Sequence, residues 1–183
     1  MPDSLFRRVA GPGFEALPAP VRAVHSGPGS ANWSGRCEVL RGTGLLSRLC
    51  AAVAGLPPAG ASVPLQVAIT RDADGETWDR SFDGHAMRSR LRERDGFLEE
   101  RLGPSVFRFA LRPGPEALEW QLVGVRSFGL PLPVSWFDKV SARESIDGSR
   151  YRFDVRAELP VAGLLVHYRG TLEAPTSWGP PGP

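Results

Sequence analysis

Arg80, Glu100 and Glu144 are the side chains whose placement makes them candidates for chemistry. Each lies within a run of alternating residues, on the side of the alternation that is otherwise apolar. A buried charge there loses much of its hydration unless it is paired, neutralised or in contact with water. Three roles are compatible with that position. The groups can form internal ion pairs that fix register, or orient the polar end of a ligand in a partly wet pocket. Alternatively, Glu100 or Glu144 can act as a general acid or base of raised pKa, with Arg80 stabilising an anion. The phenols of Tyr151 and Tyr168 fall on the same side, and Trp33, Trp78, Phe107 and Phe109 supply aromatic walls. His85 and Glu93 also share that side but adjoin turns, so they are expected at solvated strand ends.

Other chemistries lack their signatures. His25, His85 and His167 show no metal-binding spacing, and His25 reads as a helix-end cation or a hydrogen-bonding residue. Cys37 and Cys50 are too few for a disulfide scaffold and read as buried thiols. No phosphate-binding glycine loop and no GxSxG nucleophile motif occurs, and neither a metal nor a cofactor is expected. The row Arg88, Arg90, Arg92, Arg94 reads as a solvated face among carboxylates rather than an anion-binding stripe.

Tight turns are what place these residues. Asp-Gly occurs at Asp74-Gly75, Asp83-Gly84, Asp95-Gly96 and Asp147-Gly148, with Gly103-Pro104 as a further turn. Asp-Gly suits two-residue hairpin turns because both central residues need positive φ. Such turns fix register, and a strand's side chains alternate between faces. The spacing therefore predicts that Phe82 faces His85, Arg80 faces Met87, Leu91 faces Glu100, and Glu100 faces Phe107. Leu65, Val67 and Ile69 fall on the same face, beside Trp78, Arg80 and Phe82. Four hairpins agree on one apolar face and put Arg88, Arg90, Arg92, Glu99, Arg101 and Arg108 on the other. Further on, a turn at Asp147-Gly148 predicts Glu144 opposite Tyr151 and Ala142 opposite Phe153. A four-residue loop, Pro160 to Gly163, predicts Leu159 opposite Leu164 and Val155 opposite Tyr168.

About nine antiparallel strands result. A meander that long is expected to curl into a lipocalin-like barrel or half-barrel. Short helical segments precede it at Ser4 to Ala10 and Glu15 to His25, the second broken by Pro18 and Pro20. A third helix, Gly44 to Ala54, is nearly all apolar and is expected to be largely covered by the sheet, with Leu45 to Val53 plugging or covering its concavity. With 183 residues, 42% hydrophobic and 23% charged, the chain reads as one β-rich domain over 1–174 with a disordered Pro/Gly-rich tail at 175–183. A net charge of +2 gives no reason to expect nucleic acid, and Lys139 is the lone lysine among many arginines. No signal-peptide core and no apolar run long enough to insert in a membrane is visible, so a cytoplasmic location is expected.

Seven stretches carry a resemblance: LPAPVRAVH (Leu17 to His25), WSGRCEV (Trp33 to Val39), ETWDRSF (Glu76 to Phe82), LEERLGP (Leu98 to Pro104), GLPLP (Gly129 to Pro133), RFDV (Arg152 to Val155) and LPVAGLLVHYRG (Leu159 to Gly170). In this order they resemble the bacterial domain of unknown function 4166, over nearly the whole chain. The resemblance implies no assigned activity. Similar domains occur attached to nucleotide-cofactor oxidoreductase-like domains, which implies a possible oxidoreductase partner protein. Residues within the matching motifs include Trp33, Trp78, Arg80, Glu100, Arg101 and Tyr168. The functional expectation is a binding module for an apolar, lipid- or isoprenoid-like ligand, contacted by Trp33, Trp78, Arg80, Glu100, Phe107, Phe109, Glu144 and Tyr168. Two alternatives stay open: an isomerase or hydrolase using an inward Glu with Arg80, and an accessory domain docking on an oxidoreductase.

Overall fold

The computed structural model describes residues 4–27 and 29–173, and the backbone of 178–179. Three short helical pieces come first: α1 (Leu5–Ala10), a 3-10 turn (Gly11–Ala16) and α2 (Ala19–His25). Ser4 caps α1 by accepting from the Arg7 amide, and Pro20 sits in the first turn of α2, where it costs no hydrogen bond. The strands are β1 (Ser30–Arg41), β2 (Gly60–Asp72), β3 (Gly75–Phe82), β4 (His85–Arg94), β5 (Phe97–Leu102), β6 (Ser105–Pro113), β7 (Leu118–Ser127), β8 (Leu130–Leu132), β9 (Ser141–Asp147), β10 (Arg150–Leu159), β11 (Gly163–Glu173) and β12 (Trp178–Gly179). Helix α3 (Leu45–Val53) lies between β1 and β2.

Ten of these strands run up and down in sequence order, and β11 pairs back onto β1 to close an antiparallel barrel. The closure is long, from Ser34 opposite Glu173 to Arg41 opposite Val166. Two glycines permit it. A Cβ on Gly35 would lie 1.9 Å from the Thr171 carbonyl oxygen, and one on Gly170 would lie 2.2 Å from that of Arg36, so neither strand could approach the other with a side chain there. β8 is an extra strand hydrogen-bonded to β7, and β12 pairs with residues 30 and 31 of β1. The tail expected to be disordered thus contributes two residues to the sheet; the rest of it lies outside the described residues.

The hairpin arithmetic holds through β2 to β6. Phe82 faces His85, Arg80 faces Met87, Leu91 faces Glu100 and Glu100 faces Phe107, as the turns predict. Asp83 and Asp95 have φ of 49° and 51°, the left-handed conformation these turns demand. Beyond β6 the register departs in two places. At the β9–β10 turn Asp147 faces Arg150, so Gly148 and Ser149 form the loop, and Glu144 faces Phe153 instead of Tyr151. The slip is by two residues, so Glu144 keeps its inward orientation. At the β10–β11 turn a bulge pairs Leu159 with Gly163, while Val155 still faces Tyr168.

Eight strands make a barrel that side chains alone can fill; ten enclose more. Part of the surplus is taken up by the first helices. Phe6, Phe14, Val21, Val24 and His25 are fully buried against the barrel interior and close one end. Turns 95–96 and 148–149 and the loops 73–74 and 114–117 mark that sealed end. The opposite, far end carries α3, the turns 83–84, 103–104 and 128–129, and the loop 160–162.

Helix α3 does not plug the concavity. Its leucines point outward, with Leu45 85% and Leu49 62% exposed, while the small Ser47 and Ala51 face the barrel. Small residues one turn apart let the helix backbone approach β11 closely, and the Ser47 hydroxyl donates to the Leu164 carbonyl. That contact orients the helix, and its apolar side is left over.

Candidate functional site

The space that the helices do not fill is a cavity of about 90 Å³, lined by β2, β3, β5, β6, β7, β9, β10 and β11. Its walls are mainly Leu65, Val67, Phe82, Phe109, Phe153 and Val155. Of the residues singled out in the sequence, Trp78, Arg80, Glu100, Phe109, Glu144 and Tyr168 line it. Trp33 is inward and buried but packs in the surrounding core, and Phe107 is half-buried beside Phe109; neither reaches the cavity.

Two polar clusters border this apolar space, one about Arg80 and one about Glu144. On one wall, Arg80 donates to Ser89 Oγ on β4 at 2.9 Å and to Glu100 Oε1 on β5 at 3.3 Å. Its guanidinium also lies over the Trp78 ring, 5.0 Å from the centroid. One side chain thereby ties three consecutive strands together from the inside. At the other side, Glu144 on β9 is held by Nε2 of His25, the last residue of α2. Both are buried, and the imidazole is stacked on Phe6 at 3.6 Å between centroids. This pair joins the helical plug to the barrel wall.

Burial governs the phenols. Tyr151 is held well above the ordinary tyrosine range, first by burial and then by the Glu144 carboxylate beside it. Tyr168 is pushed up to about 12 by burial, which the nearby Arg80 charge offsets only in part. Both remain neutral hydrogen-bonding groups at any physiological pH. Cys37 is raised to about 11 by burial and is an inert thiol. The buried side-chain nitrogens without a partner among the described residues include the indole N–H of Trp120, which lines the cavity, and Nδ1 of His25.

Glu76 and the partner of His25 are missing from the sequence reading. Glu76 points inward on β3, accepts from the Trp78 indole at 2.9 Å and pairs with Arg71 at 3.3 Å. Parity from Trp78 could have flagged it, but its position next to a turn suggests solvent. The first helices cover that turn, and Arg71 also donates to the Val24 carbonyl at the end of α2. The pairing of His25 had no such signal, because its partner Glu144 is 119 residues away. His85 and Glu93 lie at strand ends as expected, meeting the Gly55 carbonyl and the Gly96 amide.

The arginine row is neutralised in place. Arg88 pairs with Asp79, Arg90 with Asp72, Arg92 with Glu99 and Arg94 with Asp95. Arg90 holds the Asp72 carboxyl down to about 2. Among the described residues, no three His, Cys, Asp or Glu side chains converge as a metal site would require. No helix among them is long and apolar enough to cross a membrane.

The barrel wall has one thin place. β7 and β9 pair through three residues each, Leu118 to Trp120 against Ala142 to Glu144. Beyond these, β7 pairs with β8 instead, and the chain reaches β9 through a 3-10 turn, Val134–Phe137. There the cavity and a groove on the outside of the barrel share Trp120, Val140, Ser141 and Ala142 as walls.

Fold and site together define a closed antiparallel β-barrel, plugged by helices at one end and hollow in its middle. A family model described as a domain of unknown function (DUF4166) matches residues 17–172, and the chain belongs to that family. No curated protein matches the sequence significantly.

Proposed function

We propose that this barrel binds a small, mainly apolar molecule of lipid- or isoprenoid-like character in its interior. The observation that carries the reading is an apolar cavity of about 90 Å³ with a few convergent polar groups, in a barrel whose remaining interior is packed. Its walls are aliphatic and aromatic, which suits a hydrocarbon body. Arg80, Glu100, Tyr168 and the Trp120 indole offer both donors and acceptors to a single polar end. The thin seam between β7 and β9 is the route of entry.

The same geometry favours binding over acid–base catalysis. Glu100 is engaged by Arg80, and Glu144 by His25, so each carboxylate facing the cavity already has a cationic or hydrogen-bonding partner. Docking of an oxidoreductase through the arginine row finds no unbalanced charge there, since those arginines meet carboxylates of their own sheet.

A fluorescent polyene fatty acid titrated into the protein tests the reading. Saturable enhancement at one probe per chain is expected. Val155→Phe, which fills the cavity from β10, is expected to weaken it at least tenfold while far-ultraviolet circular dichroism stays unchanged. Native mass spectrometry of protein isolated without detergent provides a second readout, a co-purifying apolar molecule. No saturable probe binding, with no retained molecule, overturns the proposal.

A further inference from the structure

The far end of the barrel has an unusual surface. Of the twelve exposed large apolar side chains among the described residues, ten lie at or next to that end; Val123 and Ile146 are the exceptions. Single exposed leucines are ordinary, but a cluster at one pole of a barrel is not. The most prominent are Leu45, Leu49 and Val53 on α3, Phe128 at the β7–β8 turn, Trp136 in the following 3-10 turn and Val161 in the β10–β11 loop. Their exposures run from 50% to 87%. They belong to three separate connections, so no single local accident explains them.

The stretches that carry them hold arginines and no carboxylate. No Asp or Glu occurs between Glu38 and Asp72, between Glu119 and Asp138, or between Glu158 and Glu173, the stretches that supply these connections. Within or next to the same stretches are Arg41, Arg48, Arg126 and Lys139; Arg41 donates to the Leu56 and Pro57 carbonyls, Arg126 meets Glu99 and Lys139 meets Glu158. The carboxylates at this end are Asp83, Asp138 and Glu158, and Glu158 is held between Lys139 and Arg156. Apolar tips that include a tryptophan, on stretches that carry arginine and no carboxylate, are the composition of an interfacial surface facing anionic headgroups.

We propose that this end docks peripherally on an anionic lipid bilayer, with the α3 leucines, Phe128 and Trp136 seated among the headgroups. The proposal rests on the reading of the cavity as a site for an apolar molecule and gives that site its source. A water-insoluble ligand would pass between bilayer and barrel without crossing bulk solvent. The turn carrying Trp136 borders the thin place in the wall, so the docked face and the entry route adjoin.

Co-sedimentation of the full chain with phosphatidylcholine vesicles, with and without phosphatidylglycerol, tests it. Binding to the anionic vesicles is expected, weakened by added salt, together with quenching of tryptophan emission by brominated lipid that Trp136→Phe reduces. Leu45→Asp combined with Leu49→Asp is expected to lower vesicle affinity by about tenfold or more, and Arg48→Glu to lower it less. Ile146→Asp, at the sealed end, is expected to leave it unchanged. No association at low salt, or equal losses in the Ile146 and leucine variants, overturns the proposal. So does a dimer in sedimentation velocity that the leucine variant dissolves, which would assign the surface to a second copy of the chain. The polyene fatty acid titrated without vesicles keeps the two readings apart: it must still bind the leucine variant, and its failure with the unaltered protein counts against the cavity alone.

Discussion

The two ends of the barrel use apolar side chains in opposite ways. At the sealed end the first helices bury Phe6, Phe14, Val21 and Val24 completely, and the ionisable groups that come with them are matched: Glu144 with His25, Glu76 with Arg71. At the far end the apolar side chains of α3 face outward, and the helix is attached through Ser47 and Ala51. One helical region therefore stabilises the fold by burial, and the other holds hydrophobic surface ready for something else. Helices of similar apolar content can serve opposite purposes, and which residues are small decides which face is buried.

The sharpest way to break this contrast is to shorten one side chain at each end. Phe6→Ala should cost about 4 kcal/mol in denaturant unfolding, because the cavity it leaves lies between His25, Trp78 and Trp120. Leu49→Ala should change stability by no more than about 0.5 kcal/mol. Comparable losses would mean that α3 is part of the core after all.

The polar side of the sealed end gives the next largest effect. His25→Ala strands Glu144 in a buried position and should cost about 3 kcal/mol by the same measurement. Replacing both by leucine should recover most of that loss, since no buried carboxylate is then left without its partner. A double variant no better than the single one would show that the imidazole acts by packing on Phe6 alone.

A subtler test uses the chain's two tyrosines, both in the barrel interior. The folded value of Tyr168, about 12, lies above the roughly 10 of an unfolded tyrosine. The linked stability is complete below pH of about 10 and is lost as pH rises through about 12. Phenolate absorbance should therefore stay flat past pH of about 10 and then rise in one step, together with loss of circular dichroism. A gradual rise centred near 10 would mean that the interior admits hydroxide freely.

Much of the wall was legible because β2 to β6 are joined by short turns with positive-φ residues, which leave register no freedom. Arg80 and Glu100 were placed on the inner face on that basis, and they meet there. Reading weakened where the backbone carries extra residues: the bulge before β11, the slipped turn at Gly148-Ser149, and the detour through β8. None of these has a distinctive residue signature. The orientation of α3 was misjudged because hydrophobic content suggested a buried face, whereas close approach favours Ser47 and Ala51. The pairing of His25 with Glu144 stayed hidden because contact across 119 residues leaves no local pattern.

The closure of β1 on β11 sets an order of events during synthesis. Residues 34–41 leave the ribosome well over a hundred residues before their partners at 166–173. The helical plug is older still, and its seat includes β9 and β10, which follow more than a hundred residues later. The stopper is thus made before the vessel. Until the last strand arrives, its buried phenylalanines have nowhere permanent to go, and this non-local wiring makes for slow folding with greasy surface exposed along the way.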